Sequence, residues 1–545
     1  MKTDRLALLY AFLKTHEGER SAFSLDDVTI ATGYAQSSVK TYLSKRLHTV
    51  VTHRQSPAGL EYRVTSPLPA TQERFFALMS QVHGDGMSTS TAATPIRTWV
   101  ATLRVTNFRR FEEVSLELDP TLSVLVAPNG GGKTALLDAL SVGLRSFVDI
   151  MCESKASHGF DKTDMRLSRT AEGQMVPQPP ITLDVSGHID GRPTDWHREL
   201  GSPDGRTTYA QAAALADRAK GLLRDLQDYA DGRRKLAPNL PVIAYYGTGR
   251  LWNSARLSEA RKKGASSFDR QTHAYLDCLT PSSSFAGFVL WFEAVVREAQ
   301  NETASGLMSP HRPALLLEAV RRSTNLVLEG CGWRNLDWDF IAGDIVADSQ
   351  TEGRLPVSLL SDGLRNMIAL VADLAHRAVR LNPHLGADAP LHAPGIVLID
   401  EVDMHLHPEW QQTVLAQLRN AFGQVQFIVT THSPQVLSTV GKECIRVIHK
   451  DGTITVPSQQ TKGVESPVVL AQVLGVDPLP PVLEARWVSD YEAAVESGDK
   501  GSDWARELRE KIVAHFGPLH PVVLELERLE RWHEFKRARG ERESE

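Results

Sequence analysis

The apolar residues of this chain occur in near-continuous runs and in alternating runs. Near-continuous apolar runs at 122–126, 395–399 and 425–429 are typical of central strands in a parallel sheet, which are buried on both faces. Residues 114–118 instead alternate between apolar and polar side chains, which is typical of a half-exposed antiparallel strand. The pattern therefore predicts an α/β fold in which antiparallel strands lead into a parallel core sheet.

Helical periodicity accounts for much of the remaining chain. Apolar residues at helical spacing predict a helix from Ala135, helical insertions at about 205–232 and 283–330, and a C-terminal helical region at 451–545. No heptad repeat continues beyond the first insertion, so a long coiled-coil arm is not expected. We place the main domain at 99–450.

Residues 1–68 show a pattern of their own. Three short helical segments, the second ending near Gly33, precede two β-like runs at 49–53 and 60–64. This order predicts a winged helix-turn-helix, in which the third helix would be the recognition helix. Residues 69–98 are predicted to form a helix and a flexible linker, because small polar residues dominate the second half of this stretch.

A local excess of basic residues marks the predicted winged helix. No acidic residue occurs between Asp27 and Glu61, whereas this stretch contains four cationic side chains, those of Lys40, Lys45, Arg46 and Arg54. Neutralisation of phosphates favours such a surface, so these residues are candidate contacts for DNA or RNA. The alternative is that the same surface docks a protein.

Overall composition indicates what kind of surface could bind nucleic acid and in which compartment we expect the protein. The formal net charge is −6 and the pI is near 6.4, so a nucleic-acid surface has to be a local patch. The four cysteines lie far apart in the sequence, which favours reduced thiols over disulfides or a zinc site. No apolar stretch approaches the roughly 20 residues that cross a bilayer. We therefore expect a cytoplasmic protein with no membrane partner.

The apolar run at 122–126 leads into a glycine-rich segment, Ala-Pro-Asn-Gly-Gly-Gly-Lys-Thr, and then into a helix. A strand, a glycine-rich turn and a helix in this order form a phosphate-binding P-loop. The side chain of Lys133 is expected to reach the β and γ phosphates of a nucleoside triphosphate, and Thr134 to ligate Mg²⁺. The full set of expected nucleotide contacts in this segment is Asn129, Gly130, Gly131, Gly132, Lys133 and Thr134.

Three later motifs narrow the class of P-loop protein. Ser361 and Gly363 stand at a predicted helix start, where a hydroxyl, a backbone N–H group and the helix dipole favour an anion. The second apolar strand ends in Asp400, a candidate for the Mg²⁺ shell, and Glu401, a candidate to orient or deprotonate the attacking water. The third strand leads to His432, which is placed to hydrogen-bond a γ-phosphate oxygen.

These motifs carry a family resemblance. The ordered set APNGGGKT, LSDG, GIVLIDEVDMHLHP and QFIVTTHSP resembles the ABC/SMC-type AAA ATPases of the RecF and OLD group. The longer stretches AYYGTGRLW and HLHPEWQQTVLAQLRNAFGQVQFIVTTHSPQVLSTV are similar to the PtuA ATPases of Septu and retron-associated anti-phage defence systems. The resemblance covers about residues 99–512. It implies an ABC-type P-loop ATPase head with an antiparallel β-subdomain and a helical subdomain.

The resemblance also implies cofactors and partners. ATP and Mg²⁺ would be bound in a head-to-head homodimer, in which Ser361 and Gly363 complete the site of the other subunit while the remaining candidates act in cis. An HNH-type nuclease and a reverse transcriptase with its DNA or RNA product are the implied partners. OLD proteins carry a TOPRIM nuclease after the histidine motif, whereas helices are predicted for the tail of this chain. We therefore expect no nuclease activity of its own.

Two other functions are compatible with the same motifs. The chain could be a DNA-repair ATPase of the RecF kind, which would bind gaps or ends of DNA. It could instead be an ATP-gated transcription regulator whose winged helix recognises one operator far better than bulk DNA.

Overall fold

The computed structural model describes residues 9–16, 23–32, 51–56, 59–64, 97–153, 159–208, 210–249, 270–281, 285–305 and 312–543. The chain forms two compact units, Met1–Thr94 and Pro95–Glu545. Within these described ranges, no helix combines the length and the apolar character needed to cross a membrane.

The described part of the N-terminal unit consists of two helices and a hairpin. Its elements are α1 (9–16), α2 (Leu25–Thr32), β1 (Val51–Ser56) and β2 (Gly59–Val64). The two strands pair antiparallel, and Phe23 forms a further bridge with Tyr62. Ser24 begins α2 with a reciprocal cap, because its hydroxyl accepts from the Asp27 backbone N–H while its own N–H donates to the Asp27 carboxylate. The segment predicted to be the recognition helix lies outside the described residues, so the winged helix stays a prediction.

A six-stranded sheet forms the core of the large unit. Its strands are β5 (Leu122–Val126), β10 (Val242–Tyr246), β14 (Gly395–Ile399), β15 (Val425–Thr430), β16 (Ile445–Ile448) and β17 (Ile454–Thr455), in the order β10-β14-β15-β5-β16-β17. The first five strands in this order are parallel. Every residue of β5, β14 and β15 is buried, which confirms the prediction from their apolar runs. Because these strands are parallel, the segments that follow them meet at one edge of the sheet.

An antiparallel sheet precedes and flanks this core. Its strands are β3 (Trp99–Phe108), β4 (Phe111–Glu117), β8 (Ile181–Ile189) and β9 (Arg192–Leu200), in the order β4-β3-β8-β9. A small hairpin of β6 (Leu167–Arg169) and β7 (Met175–Pro177) lies before β8. Buried and exposed residues alternate along β8, as expected for a sheet with one face on the core. The antiparallel β-subdomain predicted from the sequence is therefore confirmed.

Helices and a small three-stranded sheet form much of the rest of the large unit. The longer helices are α3 (Lys133–Met151), α4 (Ala213–Ala230), α5 (Ala286–Ser305), α6 (Pro313–Leu328) and α7 (Asp362–Leu381). Between α6 and α7 lies a three-stranded sheet of β11 (Trp333–Asp339), β12 (Asp344–Ser349) and β13 (Gly353–Pro356). The shorter helices are α8 (Ala389–His392), α9 (Pro408–Gln411), α10 (Val414–Ala421), α11 (Pro434–Leu437) and α12 (Ser466–Leu474). α7 is buried along most of its length, which makes it a central element of the helical subdomain.

The last three helices share a small core of their own. They are α13 (Leu483–Glu496), α14 (Asp503–Phe516) and α15 (Pro521–Glu543). Tyr491, Leu508, Ile512 and Leu526 are among the buried residues of this core. The described part of the chain from Leu483 onward is therefore mainly helical.

Candidate nucleotide-binding site

The P-loop lies where β5 ends at Val126 and α3 begins at Lys133. Gly130 and Gly132 have φ values of 71° and 97°, a left-handed backbone that glycine adopts without steric cost. A Cβ atom at position 132 would lie 2.3 Å from the ring of Phe111. Glycine therefore allows the turn to approach the β-subdomain closely at this point.

A cavity of about 290 Å³ opens at this turn and is lined by Arg109, Arg110 and residues 130–135. Arg110 donates hydrogen bonds to the carbonyl of Gly130 at 2.6 Å and to the carbonyl of Lys450 at 2.7 Å. These contacts join the P-loop to the turn that follows β16. The concave lining of glycines, a lysine and two arginines suits an anionic phosphate group.

Lys133 lies between the ends of β5 and β15. Its side chain is buried, and its Nζ donates to the carbonyl of Ala127 at 3.1 Å and lies 2.6 Å from Nε2 of His432. Burial lowers the pKa of the Lys133 ammonium, and the carboxylates of Asp400 and Glu401 oppose this shift. Burial and the adjacent ammonium both lower the pKa of His432. Both effects favour the neutral imidazole, whose Nε2 can accept a hydrogen bond from Lys133.

The Asp400 carboxylate connects two threonine hydroxyls. Its Oδ2 accepts from Thr134 Oγ1 at 2.8 Å, its Oδ1 accepts from Thr430 Oγ1 at 2.6 Å, and the residue is 2% exposed. Hydroxyl and carboxylate oxygens are hard ligands of the kind Mg²⁺ prefers, and Mg²⁺ usually takes its other ligands from water and phosphate. No cluster of three or more His, Cys, Asp or Glu side chains in the described ranges could hold a metal by itself. Thr134 and Asp400 therefore fit as two ligands of an Mg²⁺ ion that takes its other ligands from water and from the phosphates of a nucleotide.

Glu401 follows Asp400 directly and has an unusual backbone. Its φ is 48°, in the left-handed region that is costly for a residue with a side chain. Its backbone N–H donates to Thr430 Oγ1 at 2.7 Å. The hydroxyl that binds Asp400 thus also fixes the backbone of Glu401 at the edge of the sheet.

Ser361 and Gly363 lie at the N-terminus of α7. Ser361 is exposed, and its hydroxyl makes no capping hydrogen bond to α7. A Cβ atom on Gly363 would lie 2.2 Å from the carbonyl oxygen of His405. In the described ranges, no hydrogen bond joins either residue to the P-loop of the same chain.

The other predicted contacts fall into two groups. Asn129 is exposed within the P-loop turn. Lys40, Lys45 and Arg46 lie outside the described residues. The backbone of Arg54 belongs to β1 and pairs with Glu61, but its side chain lies outside the described part of the chain. The nucleic-acid contact of these four residues stays a prediction.

Two side chains that make hydrogen bonds at the candidate site are not predicted from the sequence. Arg110 was not singled out, although it follows a strand and precedes a second one across a tight turn. Thr430 is the last residue of β15, and a hydroxyl at the end of an apolar strand, shortly before His432, is the signal that could have identified it.

Comparisons with known proteins find matching family models and relatives. A family model described as "AAA domain" matches residues 102–301, and a second, described as "AAA domain, putative AbiEii toxin, Type IV TA system", matches residues 347–438. The "Retron Ec83 probable ATPase" of Escherichia coli is 28% identical over 78% of this chain and 85% of that protein. The "Septu protein PtuA" of Bacillus mycoides is 48% identical, but over only 14% of this chain and 10% of its own length.

A solved structure of an Smc head bound to the C-winged helix domain of ScpA is also similar to this chain. It covers 66% of this chain and 98% of the solved one, with 16% identity and a TM-score of 0.39. Because this likeness is weak, the fold assignment rests on the sheet order, the P-loop and the two family models. Together with the relatives, these observations confirm the resemblance stated from the sequence: the chain is similar to ABC/SMC-type AAA ATPases, among them ATPases named for retron and Septu systems.

Proposed function

We propose that this chain is the ATP-binding and ATP-hydrolysing subunit of an anti-phage defence system of the Septu or retron type. In this proposal it dimerises around ATP and gates a partner nuclease. The observation that carries the proposal is the convergence of the P-loop and the ends of β14 and β15 at one sheet edge, where Lys133 meets His432 and Thr134 meets Asp400. The relatives named for retron and Septu systems support the class of system.

Each side chain at this edge has a role that its position supports. Lys133 neutralises the β and γ phosphates, and Thr134 and Asp400 hold Mg²⁺, which supplies further charge neutralisation when bound. Glu401 orients or deprotonates the attacking water, and His432 hydrogen-bonds the γ-phosphate. The backbone of Asn129, Gly130, Gly131 and Gly132 surrounds the phosphates.

Ser361 and Gly363 are proposed to complete the site of a second copy. The exposed Ser361 hydroxyl and the N-terminus of α7 form an anion-binding pair that makes no hydrogen bond to the described P-loop of its own chain. A head-to-head dimer would place this pair over the nucleotide of the partner.

We assign the cleavage of nucleic acid to a partner protein, and we propose an HNH-type nuclease for this role. The helical fold of α13, α14 and α15 supports this assignment, because a TOPRIM nuclease is built on strands that end in acidic clusters. A reverse transcriptase with its DNA or RNA product is a second proposed partner. Contact with nucleic acid is proposed for Lys40, Lys45, Arg46 and Arg54.

Co-purification tests the proposed function. The full chain would be expressed with its genomic neighbours and purified with and without ATP, in parallel with the Lys133→Ala variant. We expect a nuclease to co-elute with the wild-type chain and its association to change with ATP only when Lys133 is present. A dimer that binds DNA ends and recruits no nuclease would contradict the proposal and favour a repair ATPase.

A substitution of Thr430 tests the assembly of the catalytic edge. Thr430→Val preserves the shape of the side chain but removes the hydrogen bond to Asp400 and leaves the Glu401 N–H without its acceptor. An unpaired buried polar group costs about 1–3 kcal/mol. We therefore expect kcat for ATP to fall by about tenfold or more, with nucleotide affinity nearly unchanged, in steady-state ATPase and binding assays.

The neighbouring residue provides a matched control for this variant. Thr431 Oγ1 donates to Asp403 at 2.6 Å, so Thr431→Val also removes a threonine hydrogen bond to an aspartate. Its effect on kcat is expected to be much smaller. Equal losses in the two variants would mean that Thr430 contributes only to general stability.

A further inference from the structure

Two consecutive tyrosines end β10, and their phenols bind carboxylates on two different helices. Tyr245 donates to Asp138 of α3 at 2.8 Å, and Tyr246 donates to Asp373 of α7 at 2.8 Å. Side chains of consecutive strand residues point to opposite faces of a sheet. The end of β10 is therefore hydrogen-bonded on one face to the P-loop helix α3 and on the other face to α7, the helix that begins directly after Ser361.

The backbone of Tyr246 adds a third connection. Its carbonyl accepts a hydrogen bond from the backbone N–H of Asp400 at 2.8 Å. The same residue therefore contacts the main chain of the candidate Mg²⁺ ligand and the side chain of Asp373. Along this path, Tyr246 is the one residue between Asp400 at the catalytic edge and Asp373 on α7.

The contact between Tyr246 and Asp373 belongs to a buried polar network. Tyr246 is 2% exposed, and Asp373 also accepts from Arg377 Nε at 2.7 Å. Arg377 in turn donates to the carbonyls of Ala274 at 2.6 Å and Leu276 at 3.2 Å. Burial raises the pKa of Tyr246, so its phenol stays protonated and donates. Buried polar networks of this kind hold elements in one relative position, because breaking a hydrogen bond leaves a costly unpaired group.

α7 can carry a displacement from its N-terminus to this network. Asp373 lies twelve residues beyond Ser361 on one continuous helix, which corresponds to about 18 Å along the axis. The N-terminus of α7 also touches the segment after Glu401, since Gly363 packs against the His405 carbonyl. The helix is thus connected to the catalytic edge at two separate points.

We propose that Tyr246 is a positioning residue that couples the N-terminus of α7 to Asp400, whereas Tyr245 positions the P-loop helix. The inference rests on the proposed function, because it requires Ser361 of one subunit to engage the nucleotide of the other. Engagement of α7 by the partner's nucleotide is then transmitted through Tyr246 to the Mg²⁺ side of the subunit's own site. The two sites of a dimer would therefore hydrolyse ATP cooperatively.

Phenylalanine substitutions distinguish the roles of Tyr245 and Tyr246. Tyr246→Phe keeps the ring and leaves Asp373 paired with Arg377, so the chain should fold and bind nucleotide with unchanged affinity. We expect its kcat to fall about tenfold and its Hill coefficient for ATP to fall toward one. Tyr245→Phe is the matched control: its nucleotide affinity should fall several-fold, with the Hill coefficient retained.

Arg377→Lys tests the contact between Tyr246 and Asp373 by changing the other hydrogen-bond partner of Asp373. A lysine keeps a cation beside Asp373 but cannot hold both backbone carbonyls, so this variant should also lose cooperativity. The inference is overturned if Tyr246→Phe changes only the melting temperature, or if the two tyrosine variants behave alike. A wild-type chain that neither turns over ATP nor dimerises with it would instead refute the proposed function.

Discussion

Lys133→Ala is expected to abolish measurable nucleotide binding, with a loss of affinity of at least about a hundredfold, or about 2.7 kcal/mol. The Lys133 ammonium is buried at the edge of the sheet, and the carboxylates of Asp400 and Glu401 act on it electrostatically. Removing it leaves these carboxylates facing the negative charge of a triphosphate. Isothermal titration calorimetry with ATP and Mg²⁺ measures the effect directly.

A surface lysine serves as the control for this substitution. Lys220 lies on α4 and forms an exposed ion pair with Asp217, and such pairs contribute little to stability. Lys220→Ala should bind ATP like the wild type, and both variants should melt cooperatively near the wild-type temperature. Wild-type affinity in Lys133→Ala would show that the P-loop is not the nucleotide site.

Glu401→Gln is expected to bind ATP normally but to hydrolyse it about a hundredfold to a thousandfold more slowly, within the range attributed to a general base. The amide keeps the size of the side chain and removes its charge and basicity. Because dimerisation is proposed to depend on bound ATP, the variant should remain dimeric in ATP long after the wild type has returned to monomer. Turnover assays and light scattering after size-exclusion chromatography measure these two effects.

An exposed glutamate nearby controls for the loss of one negative charge. Glu409 lies at the start of α9, so Glu409→Gln should leave both turnover and dimer lifetime unchanged. Unaltered ATP turnover in Glu401→Gln would remove Glu401 from the catalytic role. Normal turnover in both Glu401→Gln and Lys133→Ala would refute the assignment of the whole site.

The strands and helices of the core were predicted well, because each produces a local pattern of apolar and polar residues in the sequence. The buried strands β5, β14 and β15 follow from near-continuous apolar runs, and the P-loop follows from glycines between a strand and a helix. The described residues of the predicted helical insertion at 283–330 include the helices α5 and α6, and α6 begins at Pro313. The third helix of the proposed winged helix remains a sequence-based prediction.

The sequence alone determined the class of the protein, since the order of the P-loop, the Leu-Ser-Asp-Gly motif, Asp400 with Glu401, and His432 can be read along the chain. Only the tertiary structure decided which supporting side chains meet. Thr430 binds Asp400 from the neighbouring strand, whereas Arg110 reaches Lys450 and Tyr246 reaches Asp373 across 340 and 127 positions of sequence. A hydrogen bond of about 3 Å depends on strand order and on how helices pack against the sheet. Neither is encoded in a local pattern, because both arise from contacts between distant segments.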